Sequence, residues 1–355
     1  MKAIQITEFG GPEVMKYQDV ADPTPGEGEA VVQIQAAGVN FTDVYSRQGA
    51  NPGPPLPRTI GVEGAGVVKA IGSGVTEVKV GDEVTYCTAP GTYAELALVP
   101  AWRLMKRPSG VDAKAGAAAI LQGMTAHYLC NSTYPVQRGN LVFVHTGAGG
   151  MGLLLTQMIK HLGGYVFSTV STEAEAELSR EAEADHVVIY TQQDFANEVK
   201  RATSGDRVQV VYDSVGKTTF EKGLGCLKPL GHMVLYGQSS GAVPRIDTQI
   251  LNSKGSLFLT RPGLGHYAKD RDEILGRAYD LFKWIGASEL NVRIDQTFPL
   301  VKAAAAHREH RLCMARERFH PHAARNDQRG DDDVDEVHQE QAPRAAGGAS
   351  LDGVV

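Results

Sequence analysis

Gly147-Ala148-Gly149-Gly150-Met151-Gly152 is a Gly-x-Gly-x-x-Gly stretch, and its residue types suit one task above others: bringing backbone amides against a pyrophosphate. Each glycine has a physical role in that reading. Gly147 allows the tight turn, Gly149 lets the backbone approach the phosphates, and Gly152 lets the following helix pack closely on the sheet. The match means little by itself in a chain with 40 glycines. Its flanks give it meaning: the apolar run Leu141–His145 precedes it, the helical pattern Leu153–Leu162 follows, and a second apolar run, Tyr165–Val170, comes after Gly163-Gly164. Strand, loop, helix and strand stand in the order of a dinucleotide-binding βαβ unit. An NAD site of this kind usually carries Asp or Glu about 20 residues past the loop. Here the second strand ends Val170-Ser171-Thr172, hydroxyls without a carboxylate, so the reading favours NADPH, with NADH as the alternative.

The elements that must hold this loop fall into two groups. From Met1 to Met124 short alternating runs (Ala30–Ala36, Gly64–Ala70, Glu83–Tyr86, Tyr93–Val99) are punctuated by proline and glycine, which predicts a small antiparallel, barrel-like β domain. From Thr125 to about residue 265 strands alternate with helices, the further strands lying at Asp185–Tyr190, Val208–Asp213, Gly231–Gly237 and Ser256–Thr260. Six strands in this alternation predict a doubly wound parallel sheet, so the fold class is α/β. Asp272–Ile285 reads as a helix returning to the first domain, which residues 266–307 complete. After His307 the apolar periodicity stops. Residues 308–355 are rich in Arg, His, Asp and Gly without period, the pattern of a disordered tail or of out-of-frame translation.

Composition narrows the partners. A length of 355 residues suits two domains, and a net charge of −6 offers no general field for nucleic acid or anionic membrane. No run of about 18 apolar residues suggests a membrane span, and Met1–Phe9 alternates as a strand does, so a soluble, cytoplasmic protein with a small-molecule partner is expected. Cys87, Cys130, Cys226 and Cys313 are scattered, with no Cys-x-x-Cys pair, which argues against a disulfide framework or a four-thiolate zinc lobe. His307, His310, Cys313, His320 and His322 form the alternative metal-ligand set, set aside because their spacing is only that of helical neighbours.

Asn40-Phe41-Thr42-Asp43-Val44-Tyr45, Gly61-Val62-Glu63-Gly64-Ala65-Gly66, Gly81-Asp82-Glu83-Val84, Leu121-Gln122-Gly123-Met124-Thr125-Ala126, Val211–Gly216, Gly237–Gly241 and Leu259-Thr260-Arg261-Pro262 add a more specific signal. Together with the loop they resemble the zinc-independent quinone oxidoreductases, the zeta-crystallin-like branch of the medium-chain dehydrogenase/reductase superfamily, over residues 1 to about 307. The resemblance implies a GroES-like β-barrel domain beside a Rossmann domain, an active site in the cleft between them, and a homodimer formed through Rossmann sheet edges. It implies no zinc: zinc alcohol dehydrogenases of the superfamily place Cys and His where this chain has Asn40 and Val62, neither of which replaces those ligands. Asn40, Tyr45 and Arg261 become the candidate catalytic donors. Gln122, Thr125 and Gly237-Gln238-Ser239-Ser240 would lie along the nicotinamide half of NADPH, and Ser171 and Tyr190 at the adenosine half. Each has a plainer alternative: Asn40 as a turn residue, Tyr45 as a core ring, Arg261 as a strand cap or partner of Asp270, and the others as turns.

Two departures from the resemblance stand out. Glu175 occupies the place where relatives commonly offer Lys to the 2′-phosphate, and residues 308–355 lack the helix and closing Gly-Lys-Val-Val strand that relatives carry. The implied activity is zinc-free transfer of reducing equivalents from NADPH to a quinone. Reduction of the C=C bond of an unsaturated carbonyl is the near alternative, and a non-catalytic crystallin-like or RNA-binding role the distant one. Without a basic stripe laced with aromatics, RNA is disfavoured as the main partner.

Overall fold

The structure, a computed structural model, describes residues 1–51 and 53–315, with residues 310–315 by backbone alone. Its N-terminal part is antiparallel. Strands β1 (Lys2–Ile6), β2 (Lys16–Asp19), β3 (Glu29–Ala37), β4 (Arg58–Thr59), β5 (Glu63–Ile71), β6 (Glu83–Cys87), β7 (Leu96–Pro100) and β8 (Met105–Lys106) form two sheets of order β2-β1-β4 and β7-β3-β5-β6-β8. A bridge between Ala3 and Ala94 joins them. In β3, Val32 and Ile34 point into the core while Gln33 and Gln35 face out, the period-two alternation of a half-buried strand.

The second part is parallel throughout. Strands β9 (Leu141–Val144), β10 (Tyr165–Val170), β11 (His186–Ile189), β12 (Val208–Asp213), β13 (Leu227–Leu235) and β14 (Phe258–Thr260) lie in the order β11-β10-β9-β12-β13-β14. All six lie where the sequence pattern places them. Both faces of the sheet are buried, since Val142 and Val144 of β9 enter one apolar cluster and Phe143 enters another with Phe167, Phe195, Val211 and Met233. The order reverses between β9 and β12. In open sheets of this kind ligands bind outside the carboxyl ends of the strands at that reversal.

Among the described residues ten α-helices accompany the strands: α1 (Phe41–Arg47), α2 (Ala113–Tyr128), α3 (Gly150–His161), α4 (Glu173–Glu181), α5 (Phe195–Ala202), α6 (Phe220–Leu224), α7 (Gln249–Ser253), α8 (Leu264–Tyr267), α9 (Arg271–Gly286) and α10 (Ala303–Ala315). The change of pattern at Thr125 thus falls inside one continuous helix. Asp112 caps α2 by accepting the Ala115 N–H at 2.7 Å, and small residues, Gly116 to Ala119, let the helix lie close to β5. At Gly123 an added Cβ would come within 2.8 Å of Leu281 on α9, so α2 presses on both parts of the molecule.

One boundary differs from the sequence reading. α10 continues through Ala315, beyond the point where periodicity fades, because a helix needs only backbone hydrogen bonds and Ala303, Ala306 and His307 already supply its buried face. The rest of the tail, residues 316–355, lies outside the described residues. Among the described residues no helix is long and apolar enough to cross a membrane.

Candidate active site

β9 delivers the glycine loop to the carboxyl edge of the parallel sheet. The chain turns there at Thr146, whose φ of 56° is the left-handed value, and not at Gly147. Two bonds hold this strained residue: its hydroxyl donates to the His145 carbonyl at 2.7 Å and meets the Ser214 hydroxyl at 2.7 Å. Gly147 serves packing instead. A Cβ there would fall 1.6 Å from the Ser168 hydroxyl, and its N–H bonds the Thr169 carbonyl at 2.8 Å. Gly152 lies equally close, since its Cβ would come within 2.2 Å of the Thr146 carbonyl. Gly149 differs from both: its Cβ would meet only the Thr146 carbonyl, at 3.4 Å. The fold does not require a glycine at 149, whereas a ligand pressing on the backbone would.

No side chain caps the N-terminus of α3, so its first-turn amides point outward without intrahelical acceptors. That is a donor set for a diphosphate. Ala148 turns inward against Val170, Ala176 and Ile189, and Met151 packs on the main core, which leaves the backbone as the exposed face of the loop.

Gln122 lies beside the loop on α2. Its carbonyl oxygen occupies the space above Gly150, where a Cβ would be 2.2 Å away, and its amide donates to Asn40 Oδ1 at 3.2 Å. Asn40 in turn donates to Glu63 Oε2 at 2.6 Å, and Glu63 Oε1 accepts the Leu121 N–H at 2.5 Å. A chain of hydrogen bonds therefore runs from β5 through the start of α1 to Gln122 on α2, which lies against the glycine loop. Thr125, also on α2, spends its proton on the Leu121 carbonyl at 2.7 Å.

Sequence reasoning gave Glu63 no role. It is 1% exposed, and burial pushes its carboxyl up to about 8, against the pull of the Leu121 and Asn40 donors. Asp43 lies one helical turn past Asn40 and is fully buried. Burial raises it to about 7, although the Asn40 N–H (2.9 Å) and the Tyr93 hydroxyl (3.3 Å) both donate to it. The Tyr93 hydroxyl also meets His307 Nε2 at 3.1 Å. His307 thus belongs to a buried polar row, and the four other members of the alternative metal set lie outside the described side chains. Among the described residues no three His, Cys, Asp or Glu side chains gather as a metal site. The signal for Asp43 and Glu63 in the sequence is weak: a carboxylate three residues past Asn40 in the first turn of a helix, and one at the start of an apolar strand.

Across the cleft, Tyr45 of α1 reaches the loops that leave β13 and β14. Burial raises its hydroxyl, while the backbone N–H of Gln238 and the charge of Arg261 act in the other direction. Arg261 is exposed, its guanidinium donating to the Leu235 carbonyl at 2.9 Å. It does not pair with Asp270, which caps α9 by accepting the Glu273 N–H at 3.0 Å. Gly237 lies so close to Ser214 that a Cβ would be 2.3 Å from its carbonyl, and the Ser239 N–H bonds that same carbonyl at 3.1 Å. Ser240 is a brace: its hydroxyl donates to the Val215 carbonyl at 2.7 Å and accepts the Thr218 N–H at 3.1 Å.

At the other end, Ser171 follows β10, and both its N–H (2.7 Å) and its hydroxyl (2.6 Å) donate to Glu175 Oε2. Tyr190, following β11, bonds the Val170 carbonyl through its N–H at 3.0 Å. The structure therefore brings the sequence-derived residues into three adjoining groups: Gln122 and Asn40 with the glycine loop, Tyr45 with Gln238 and Arg261, and Ser171 with Tyr190.

Known proteins share the two-part fold and much of the sequence. The alcohol dehydrogenase GroES-like domain family matches residues 26–109, and the zinc-binding dehydrogenase family matches residues 150–264. A quinone oxidoreductase of Pseudomonas aeruginosa is 42% identical over 309 residues, covering 87% of this chain and 95% of that protein. A 2-haloacrylate reductase of a Burkholderia species is 41% identical over 314 residues, covering 86% and 94%. The crystal structure of Escherichia coli quinone oxidoreductase in complex with NADPH superposes with a TM-score of 0.87 at 37% identity, covering 88% of this chain and 97% of that one. Two matched domains, a shared fold along nearly the whole length of the relatives and sequence identity at this level place the chain in the quinone oxidoreductase family of the medium-chain dehydrogenase/reductase superfamily.

Proposed function

We propose that the chain is an NADPH-dependent quinone oxidoreductase that works without zinc. The observation that carries this reading is the meeting of Tyr45 with Gln238 and Arg261 across the cleft, beside a glycine loop whose outward amides suit a diphosphate. The NADPH complex of the E. coli relative supports the donor, and the names of the relatives support the acceptor. Gly149, which the fold itself does not require, fits close contact with the dinucleotide.

NADPH, when bound, supplies a hydride. The chain's own groups then act on the acceptor. Reduction of a quinone places negative charge on an aromatic oxygen, where delocalisation lessens the need for a Lewis acid. Tyr45, kept protonated by burial, donates a hydrogen bond to that oxygen, and Arg261 favours its charge. Solvent protons complete the hydroquinone. Glu63, raised to about 8, remains largely neutral at pH 7 and adds little negative charge below the site. The Asn40 amide is held by Glu63 on one side and Gln122 on the other, and Val62 has no donor atom, so neither position suits zinc.

A second reading, reduction of an activated C=C bond, is favoured by the 2-haloacrylate reductase relative. The same cleft serves it if Tyr45 delivers a proton to carbon. Steady-state oxidation of NADPH and NADH with a quinone and an enal, measured side by side, separates the readings. Faster turnover of the quinone is expected. Faster turnover of the enal selects the second reading, and absence of both turnover and dinucleotide binding returns the protein to a non-catalytic role.

The same reading includes a homodimer and residence in the cytoplasm. β14 ends the parallel sheet with Phe258 54% and Leu259 37% exposed, an apolar edge able to pair with its copy. Light scattering of the purified protein tests it, with Leu259→Lys expected to yield monomers.

A further inference from the structure

The end of β10 differs in chemistry from the rest of the cleft. Ser171 lies two residues past Thr169, whose carbonyl holds the Gly147 N–H, so it sits directly beside the glycine loop at the carboxyl edge of the sheet. Both of its protons go to Glu175. The Thr191 hydroxyl is spent in the same way, donating to the Ser171 carbonyl at 2.8 Å. From Val170 to Thr191 the only Lys or Arg is Arg180, and it pairs with Glu173 (2.7 Å) and Glu177 (2.8 Å) along its own helix. What the first turn of α4 adds beside the glycine loop is the carboxylate of a partly exposed Glu175, bonded to a buried Ser171. Ribose hydroxyls can donate to such a surface. A 2′-phosphate near neutral pH offers mainly acceptors and negative charge, which this surface repels.

We infer that Glu175 sets how strongly the site discriminates between the two dinucleotides, holding down its preference for NADPH over NADH. The inference rests on the reading of the glycine loop as a nicotinamide dinucleotide site. In open α/β sheets a carboxylate in this region binds the ribose 2′-hydroxyl, and here it comes from the first turn of α4 instead of the strand end. A 2′-phosphate at this place meets Glu175 unless that side chain leaves Ser171, and an unphosphorylated ribose does not, so Glu175 narrows the advantage of NADPH over NADH without reversing it.

Calorimetric titration with 5′-AMP and with adenosine 2′,5′-bisphosphate tests this without turnover, because the two differ only in the 2′-phosphate. The bisphosphate is expected to bind the unaltered protein with little advantage over 5′-AMP. Glu175→Gln, which keeps an acceptor for Ser171, should tighten bisphosphate binding about tenfold and change 5′-AMP binding by less than about threefold; Glu175→Lys should go further. Equal melting temperatures would establish that the variants are folded. A preference of the unaltered protein for the bisphosphate, left unchanged by Glu175→Gln, overturns the assignment. If neither nucleotide, nor NADH or NADPH by fluorescence, binds the unaltered protein, the dinucleotide reading itself falls, and the role of Glu175 with it.

Discussion

The two walls of the cleft are built from different materials. The glycine loop is backbone: its shape comes from close approaches at Gly147 and Gly152, and its function from amides that do not titrate near neutral pH. The wall that adjoins it is made of side chains, with Glu63, Asn40 and Gln122 linked across 23 and 82 positions of sequence and two buried carboxyls raised toward neutrality. The first wall should be sensitive to volume and indifferent to pH, the second the reverse.

Gly152→Val presses hardest on that contrast. The new side chain meets main-chain atoms on both sides, so overpacking should cost about 3 kcal/mol or more, abolish dinucleotide binding and lower the melting temperature at every pH alike. A variant that melts normally would show that the loop yields as side chains do.

The side-chain wall should respond to pH. Glu63 titrates near 4.5 when unfolded and at about 8 when folded, so the folded state holds the extra proton in between. Its contribution to stability is full below about pH 4.5, declines as pH rises and is lost above about pH 8, a change on the order of a few kcal/mol. Asp43, raised from 3.8 to about 7, adds a decline of the same sign over a lower window. Denaturant titrations from pH 5 to 9 should show it, with a shallower slope in Glu63→Gln. An equal slope in the variant would move the proton elsewhere.

Between the walls, Arg261→Ala should lower kcat/KM for the quinone about a hundredfold, and Tyr45→Phe about tenfold, with dinucleotide affinity nearly unchanged. A change in dinucleotide affinity alone would make these residues part of the cofactor grip. The smallest effect belongs to Gly149→Ala. Stability should move by less than about 1 kcal/mol while dinucleotide affinity drops, the converse of the Gly152 result.

The contrast also explains what could be read from sequence. The strands Leu141–Val144 and Tyr165–Val170 and the loop between them are contiguous, so periodicity and glycine spacing are enough to place them. The helix Ala113–Tyr128 shows only weak periodicity because its buried face is mostly alanine and glycine, and strands as short as Arg58–Thr59 leave no pattern at all. Tyr45, Gln238 and Arg261 meet in the structure, but nothing local to any of them reports the other two. In the sequence Ser171 and Thr172 are hydroxyls without a carboxylate at the strand end; the capture of Ser171 by a side chain four positions on depends on how the next helix begins.

The continuous helix Ala113–Tyr128 has a consequence for anyone recombining this molecule with its relatives. Composition invites a crossover near residue 125, but that cut would divide a single rigid rod carrying Leu121 and Gln122, the contacts by which one half addresses the other. A chimera joined ahead of Asp112 would inherit the rod whole, and with it the alignment of donor and acceptor halves; one joined inside it would have to build that alignment anew.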